Sequence, residues 1–369
     1  TDGKLLSLGD ALSNQTDGQV WVLEENAIFN TVGVRDDSKN YNGSKFLITS
    51  DGITIIGNGA TVYSDYANNQ MNSPAGGVNA SATISIMGDD VIVTDMKIMA
   101  MVQIETGTSQ FYANKAILVA GSNAVIENVS VIANTLGQFP TYDENGMEIE
   151  GEKVLINPGY GGLIYSEPVS DVASPSMVLD GVTIDNGAIS ARYSGPDSTI
   201  QVKNSTLIIS ESDDAGFSTI GNEKITAFDF TVEISKEDYP ASKVSNILNN
   251  VPSGTEVNVN VDVTLTDNVS IKDGVDIILA DGVTLTNNAV LTIEEQTGDT
   301  GISGGSIINN GIMEGETTSP VTDNGTSVDE DGNCFVSTYI QLYAALNSDA
   351  GTIILVGDIA LDDDVSVGE

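Results

Sequence analysis

The clearest pattern in the chain is an eight-residue segment with apolar residues at its first, third and eighth positions. It recurs five times, as Ile53–Ala60, Val91–Ile98, Ala124–Val131, Met177–Ile184 and Ile200–Leu207. Apolar residues at alternate positions are typical of β-strands, whose side chains point to opposite faces in turn. The fifth position holds only glycine, asparagine or aspartate, the residue types that enter the left-handed backbone region at least cost. These residues are Gly57, Asp95, Asn128, Gly181 and Asn204.

A single left-handed residue between two strands predicts a corner that directs the second strand into a different sheet. A hairpin within one sheet would instead need a two-residue turn. Such corners, repeated along a chain, are typical of a parallel β-helix, in which each coil stacks on the one before it. We therefore predict an all-β fold, a single-stranded solenoid, with the five corner residues in one aligned column.

Inserted segments interrupt this repeat. The spacing from Met177 to Ile200 is close to the length of a bare three-sided coil, so the longer spacings carry loops. We place these loops at 63–79, 105–115 and 137–175. Within the third loop, residues 142–155 predict a β-hairpin built on an Asn-Gly turn. Loops on a rigid scaffold commonly carry function, and we expect these three to do so.

Short amphipathic helices divide the chain into modules. Leu8, Ala11 and Leu12 have helical spacing and predict a helix that caps the first coil. The same spacing returns at Val244, Ile247 and Leu248 and again at Leu342, Ala345 and Leu346. We predict modules at 1–235, 236–330 and 331–369. Residues 357–367 align without gaps on 261–271, so the last segment is either the start of a further module or a terminal cap. We expect a monomer within a longer tandem chain.

Charge narrows the set of partners. The chain has 53 acidic and 13 basic residues, a formal net charge of −40. Such a surface repels phosphate, which argues against nucleic acid and anionic membrane surfaces as partners, and it attracts cations, calcium above all. No apolar run approaches the roughly 20 residues of a membrane-spanning helix, so we expect no membrane insertion. The single cysteine, Cys334, excludes an internal disulfide.

The sequence contains no histidine. This removes Ser-His-Asp and Cys-His catalysis and histidine-bound zinc, and leaves carboxylates as the candidate chemistry. Asp89 and Asp90 precede a repeated strand, where they either bind a metal, act in catalysis or form an exposed turn. Asp329 and Asp331 resemble the start of a calcium loop that lacks its glycine and final acid, and a linker turn is the alternative. We assign no catalytic residue and expect no cofactor other than calcium at these four aspartates.

Aromatic residues lie in or beside the inserted loops, whereas the five repeated segments contain none. A tyrosine ring offers a flat apolar face and a polar tip, which suits stacking on sugar rings or on a protein partner. The alternative is that these rings pack the loops onto the scaffold. The candidate ligand-binding residues are Tyr66, Phe111, Tyr112, Tyr142, Tyr160 and Tyr165.

The repeated segments, with Asp51–Thr61 as the clearest, resemble the coils of the right-handed parallel β-helix of the pectate-lyase-like superfamily. The resemblance covers roughly 1–235, with a looser version in 240–315, and concerns repeat style, so it implies fold more than activity. That superfamily contains polysaccharide lyases, polygalacturonase-like hydrolases and large surface adhesins. The basic and histidine motifs of its enzymes have no counterpart here: Arg35 and Arg192 are the only arginines, and neither lies in a matching cluster.

We therefore expect an exported protein, extracellular or on a bacterial cell surface. Its function would be that of a non-enzymatic adhesin or scaffold that binds a glycan or a host or cell-surface protein. One alternative is a polysaccharide lyase or glycoside hydrolase on the same scaffold. The other is a structural surface-layer spacer that has no ligand.

Overall fold

The protein is described by a computed structural model, and the chain divides into two compact units, 1–230 and 231–369. The predicted modules with boundaries at 235/236 and 330/331 stay a prediction. The residues that the structure describes are 8–30, 46–63, 82–99, 115–132, 138–142, 148–155, 163–166, 175–190, 198–211, 215–217, 224–297, 301–356 and 359.

The first unit consists almost entirely of β-strands after one short helix. Its elements are α1 (Leu8–Ser13), β1 (Val20–Val22), β2 (Ile28–Asn30), β3 (Leu47–Ile48), β4 (Thr54–Tyr63), β5 (Ala82–Ile86), β6 (Ile92–Met99), β7 (Lys115–Val119), β8 (Ala124–Ile132), β9 (Gln138–Tyr142), β10 (Glu148–Leu155), β11 (Leu163–Ser166), β12 (Ser176–Asp180), β13 (Thr183–Asp185), β14 (Ala188–Ser190), β15 (Thr199–Ile209) and β16 (Gly216–Phe217). Strand β17 (Ile225–Ile234) contains the division between the two units.

Two parallel sheets make up most of this unit. The first sheet has the order β1-β4-β6-β8-β12-β15, with β2 beside β4 and β13 between β8 and β15, and the second has the order β3-β5-β7-β11-β14-β16. The chain alternates between the sheets, so each strand pairs with one from the preceding coil. The exception is β9–β10, an antiparallel pair that confirms the predicted hairpin; its turn lies outside the described residues. This arrangement is compatible with a β-helix solenoid.

The repeated segments stack as the apolar pattern predicts. Their first-position residues are in register, with Met177 opposite both Ala124 and Ile200. The eighth-position residues Val131 and Ile184 are also partners. All five side chains are buried. The four larger side chains contribute about 1.5–3 kcal/mol each when they are fully buried, and Ala124 contributes less, so these columns form the core of the unit.

The predicted corner column is confirmed at four positions. Strand register aligns Asp95, Asn128, Gly181 and Asn204, and their φ angles are 57°, 51°, 64° and 47°. Single left-handed residues therefore bend these strands or separate them, as at Gly181 between β12 and β13. The prediction that this corner directs the second strand into a different sheet is wrong, because the segments before and after it pair within the same sheet.

The prediction is wrong at Gly57. The left-handed residues of that coil are Asn58 and Gly59, with φ of 53° and 74°. The register between β4 and β6 shifts between Ile56 and Ala60, so β4 carries extra residues at its corner. As a result Ala60 lies opposite Met96 and does not occupy the eighth position of the repeat.

The second unit repeats the parallel pattern after a longer helix. Its elements are α2 (Ala241–Asn250), β18 (Thr255–Val259), β19 (Val263–Leu265), β20 (Val269–Ile271), β21 (Val275–Asn287), β22 (Val290–Ile293), β23 (Gly301–Asn309), β24 (Ile312–Glu314), β25 (Val321–Asp323), β26 (Asn333–Val336), α3 (Tyr339–Leu346) and β27 (Thr352–Leu355). One sheet has the order β18-β21-β23-β25, with β19 beside β21; the others are β20-β22-β24 and β26-β27.

Helix α2 packs against β19 and β20. It buries Val244, Ile247 and Leu248, which confirms the predicted apolar face. In α1, Ala11 and Leu12 are half-buried. Among the helices that the structure describes, none combines the length and apolarity that crossing a membrane requires.

Helix α3 shows the predicted apolar face only in part: Ala345 is in the core and Leu342 packs against it. It buries Gln341 and Ala344 together with Ala345, whereas Leu342 and Leu346 are only half-buried. The polar Gln341 tolerates burial because its amide nitrogen donates to the carbonyl oxygens of residues 324 and 325, at 2.9 and 3.1 Å. Its amide oxygen accepts the backbone N–H of residue 337. Burial of this hydrogen-bonded side chain rotates the buried face by about one residue.

Candidate binding surface at the insertion corner

In the first unit, each coil passes from the first sheet to the second at one corner, which we call the insertion corner. In one coil only Asn186 and Gly187 make this connection, between β13 and β14. In four other coils the same connection is made by the much longer segments 31–46, 64–81, 100–114 and 133–162. The sequence did not predict the first of these, and we call the last three the three insertions. The predicted loops at 63–79 and 105–115 and the first part of 137–175 therefore correspond to insertions at a single corner. The prediction is wrong for the rest of 137–175, because Leu163–Ser166 forms β11 of the second sheet.

The three insertions leave the first sheet from neighbouring strands at the same register position. Tyr63 is the partner of Met99, and Met99 is the partner of Ile132. The column continues to Asp185 in the coil without an insertion. Because neighbouring strands lie about 4.8 Å apart, the three departure points fall within roughly 10 Å.

The insertions also return to the second sheet at neighbouring positions. Ala82 is the partner of Lys115, Lys115 of Leu163, and Leu163 of Ala188. The stems of all three insertions are thus adjacent at both ends, which makes the insertion corner the candidate functional site.

Five of the six candidate aromatic residues fall within the three insertions by sequence position, whereas Tyr165 lies in β11 of the second sheet. Tyr142 lies in hairpin strand β9 opposite Glu148, and Tyr165 lies in β11 opposite Leu118 and Ser190. The other four, Tyr66, Phe111, Tyr112 and Tyr160, lie outside the described residues.

The second sheet is covered on both faces beside this corner. All five residues of β5 are buried, although alternate side chains of a strand point to opposite faces. Ser85 is fully buried and in register with the fully buried Leu118. No described residue hydrogen-bonds to the Ser85 hydroxyl. The two faces of β5 are therefore not an exposed surface.

Asn186 holds the corner together where there is no insertion. Its amide nitrogen donates to the Asp185 carboxylate and to the Ser210 hydroxyl, both at 2.9 Å. Its amide oxygen accepts the N–H groups of Ser210 and Glu211, at 2.9 and 2.8 Å. Burial raises the pKa of Asp185, and the Glu211 carboxylate raises it further, while the hydrogen bond from Asn186 lowers it. Sequence analysis did not single out this residue, although Asp-Asn-Gly between two strands is a corner signal.

Two of the candidate acids, Asp89 and Asp90, lie elsewhere, at the connection from the second sheet back to the first. We call this connection the turn corner. There one carboxylate oxygen of Asp17 accepts the N–H of Asp51 at 3.1 Å, and Asp51 accepts the N–H of Asp89 at 2.9 Å. Asp89 in turn accepts the N–H of Ser122 at 2.7 Å. Asp89 is therefore an exposed member of a column in which each side chain fastens the next coil.

Asp90 serves the same turn. It is left-handed, with φ of 56°, and so is Asn123 in the next coil, with φ of 57°. The Asp90 carboxylate accepts a hydrogen bond from the Asn123 amide at 3.1 Å. The turn corner follows Ile86 at the far end of β5 from the insertion corner. The structure thus separates Asp89 and Asp90 from the stems that carry the aromatic candidates.

Comparison with known protein families finds no match, and neither a curated protein nor a solved structure matches the chain. The interpretation of the site therefore rests on its own geometry.

Asp329 and Asp331 lie in a short turn of the second unit. One Asp329 oxygen accepts the N–H groups of Asn333 and Asp331, at 2.8 and 3.0 Å. Hydrogen bonds from the Asn333 backbone and side chain, and then from Asp331, hold the pKa of Asp329 below its usual range. Among the described residues no three acidic or cysteine side chains gather to hold a metal ion. Calcium binding at Asp89, Asp90, Asp329 and Asp331 therefore stays a prediction, and the described residues show no set of ligands for it.

Proposed function

We propose that the first unit is a right-handed parallel β-helix of the pectate-lyase-like kind in an exported bacterial surface protein. On this proposal the three insertions form one adhesive surface that binds a neutral glycan through their aromatic side chains. A host or cell-surface protein is the other partner class that such a surface would serve. The protein would act by binding and would catalyse no reaction.

The observation that carries the proposal is the register of the stems. Tyr63, Met99 and Ile132 are consecutive partners, so the segments 64–81 and 100–114 leave the scaffold side by side with the third insertion. Function commonly lies in loops that a rigid scaffold positions together. Insertions scattered over different corners would have supported a spacer with no ligand.

The charge of the chain selects among glycans. The protein has a net charge of −40. It therefore repels polyuronates and sulfated or sialylated sugars, which are also negatively charged. Tyrosine and phenylalanine rings stack on the apolar face of neutral sugars, and this contact does not require a basic side chain. Neutral glycans are therefore the expected ligands.

The enzymatic alternative has less support from the described residues. Glycoside hydrolysis needs two carboxyl groups that face one substrate. Asp89 and Asp90 instead accept hydrogen bonds from Ser122 and Asn123 of the next coil. These bonds give both carboxylates a structural role at the turn corner, away from the stems.

The proposal is tested on an array of neutral and anionic glycans, followed by affinity measurement for the neutral glycan that binds best. Three variants each replace one insertion, 64–81, 100–114 or 133–162, by Asn-Gly, the sequence that connects β13 to β14 in the native chain. Each replacement is expected to weaken binding at least about tenfold, since each removes part of one contact surface. Circular dichroism checks that each variant keeps its strands.

Phe228→Ala is the matched control, because Phe228 is 64% exposed and lies beside the left-handed Asp229, outside all three insertions. It should leave affinity unchanged. Wild-type affinity in all three folded replacements would contradict the proposal, as would an array without a bound neutral glycan. Cleavage of a polyuronate or neutral glycan that Asp90→Asn abolishes would favour the enzyme.

A further inference from the structure

The second unit contains an open cleft of about 420 Å³ at the end of its core columns. Val321 in β25 is the partner of Ile307, and Asp323 is the partner of Asn309. Ile307 and Asn309 are buried, whereas Val321 is 41% exposed. Positions that hold core residues in one coil thus line an accessible cleft in the next. Its volume lies in the range of small-molecule sites.

Two carboxylates and two apolar side chains line this cleft: Asp323 and Glu316, with Met313 and Val321. One Asp323 oxygen accepts hydrogen bonds from the Asn309 amide at 2.8 Å and from the Gly325 N–H at 3.0 Å. These bonds fix the carboxylate in place. No described residue donates to its second oxygen.

The hydroxyl groups of the lining add acceptors. Thr317 donates its hydroxyl hydrogen to the Ile302 carbonyl oxygen at 2.7 Å, and Thr326 donates to the Phe335 carbonyl oxygen at 2.7 Å. A hydroxyl has one hydrogen, so both threonines can offer a ligand only lone pairs. Ser327 is the lining hydroxyl for which no described residue is a partner. The side chains of the cleft are therefore richer in acceptors than in donors.

We propose that this cleft binds a primary ammonium group. The group would be carried either by an amino sugar or by a lysine side chain. An ammonium group has three donors and no acceptor, which complements this lining. Asp323 and Glu316 supply charge-assisted hydrogen bonds, and Met313 and Val321 cover the adjoining carbon atoms. Calcium would need about six to eight oxygen ligands, and the described residues contain no cluster of three acids at the cleft.

Isothermal titration calorimetry on the full chain in 0.15 M salt tests this assignment. The probes are glucosamine, glucose, N-acetylglucosamine and Nα-acetyl-lysine amide, whose side-chain ammonium group is free. Saturable binding is expected for glucosamine, for the lysine derivative, or for both, and the pattern identifies which source of the ammonium group fits. Glucose and N-acetylglucosamine, which lack the charged amine, should not bind.

Asp323→Asn keeps an oxygen for Asn309 and Gly325 but removes the charge, and it should weaken amine binding at least about tenfold. Glu316→Gln is the second test variant and should act in the same direction. Asp281→Asn removes an exposed carboxylate of the same unit outside the cleft and should change affinity less than twofold. Binding of glucose equal to that of glucosamine, absence of saturable amine binding, or full affinity in both cleft variants would overturn the proposal.

Discussion

Replacing Gly121 by alanine is expected to destabilise the first unit by about 3 kcal/mol or to prevent its folding. A Cβ atom at Gly121 would overlap the carbonyl oxygen of Gly88, and one at Gly88 would overlap that of Ser50. The three residues follow one another in successive coils, so the turns stack without space for a side chain. The coils cannot separate, because Ala120 donates its N–H to the Ile86 carbonyl oxygen at 2.8 Å. Urea unfolding followed by circular dichroism measures the change.

Gly18→Ala is the control within the same unit. Gly18 lies in a turn with φ of 73°, and a Cβ atom there would meet nothing within 4 Å. Gly18→Ala should lower the free energy of unfolding by about 1 kcal/mol, which is the strain of an L-residue in the left-handed region. If Gly121→Ala were no more damaging than Gly18→Ala, the close stacking of the coils would be contradicted.

Replacing Asn287 by alanine is expected to cost about 2–4 kcal/mol in the second unit. Asn287 is fully buried and donates to the Asn309 side-chain oxygen at 2.8 Å and to the Ile312 carbonyl oxygen at 2.9 Å. Its own oxygen accepts the N–H of Ala289 at 3.1 Å. Alanine would leave these three groups without their partner in a buried environment, and that loss is costly. Thermal unfolding and urea unfolding give the free-energy change.

The next residue provides the comparison. Asn288 is half-buried, and its oxygen accepts one hydrogen bond from the Asn310 amide at 2.9 Å. Water can replace this bond, so Asn288→Ala should cost less than about 1 kcal/mol. Equal effects of the two substitutions would show that the hydrogen bonds of the buried Asn287 side chain do not stabilise the unit.

Local sequence patterns predicted the parts of the fold that depend on a residue's own burial and backbone preferences. Alternating apolar residues placed Ala124, Met177 and Ile200 in one core column, and left-handed residue types placed Asn128 and Gly181 at one corner. The face of α2 followed from helical spacing in the same way. In each case the residue's own conformational or burial preference decides its position.

The errors in the predicted fold arise where pairing or packing with a segment distant in sequence determines the conformation. Three adjacent residues, Gly57, Asn58 and Gly59, all suit a corner, and only pairing with β6 selects the last two. Gln341 is a polar residue whose burial depends on carbonyl groups at 324 and 325. No local pattern contains that information.

The candidate site was predictable only in part. Spacing between repeats located the insertions, and composition located their aromatic residues. Their common corner depends on the register of Tyr63, Met99 and Ile132, which belongs to strands distant in sequence. The structural role of Asp89 likewise depends on Ser122 in the next coil, so the sequence left its role open between metal binding, catalysis and a turn.

The central claim is that the insertions leave from neighbouring parallel strands in one register. Cysteine cross-linking tests it most directly, with Lys97→Cys and Ser130→Cys combined in a Cys334→Ser background. Lys97 and Ser130 are register partners two residues before the departure points. Their Cα atoms should lie about 4.8 Å apart, within the range of about 4.4–6.8 Å that a disulfide spans.

The control pairs Lys97→Cys with Thr183→Cys. Thr183 is the partner of Ser130 and therefore lies two strands from Lys97, at roughly 10 Å. After mild oxidation, peptide mass spectrometry is expected to find the 97–130 disulfide in most molecules and the 97–183 disulfide in few. Efficient formation of the 97–183 disulfide, or failure of the 97–130 pair in folded protein, would contradict the claim.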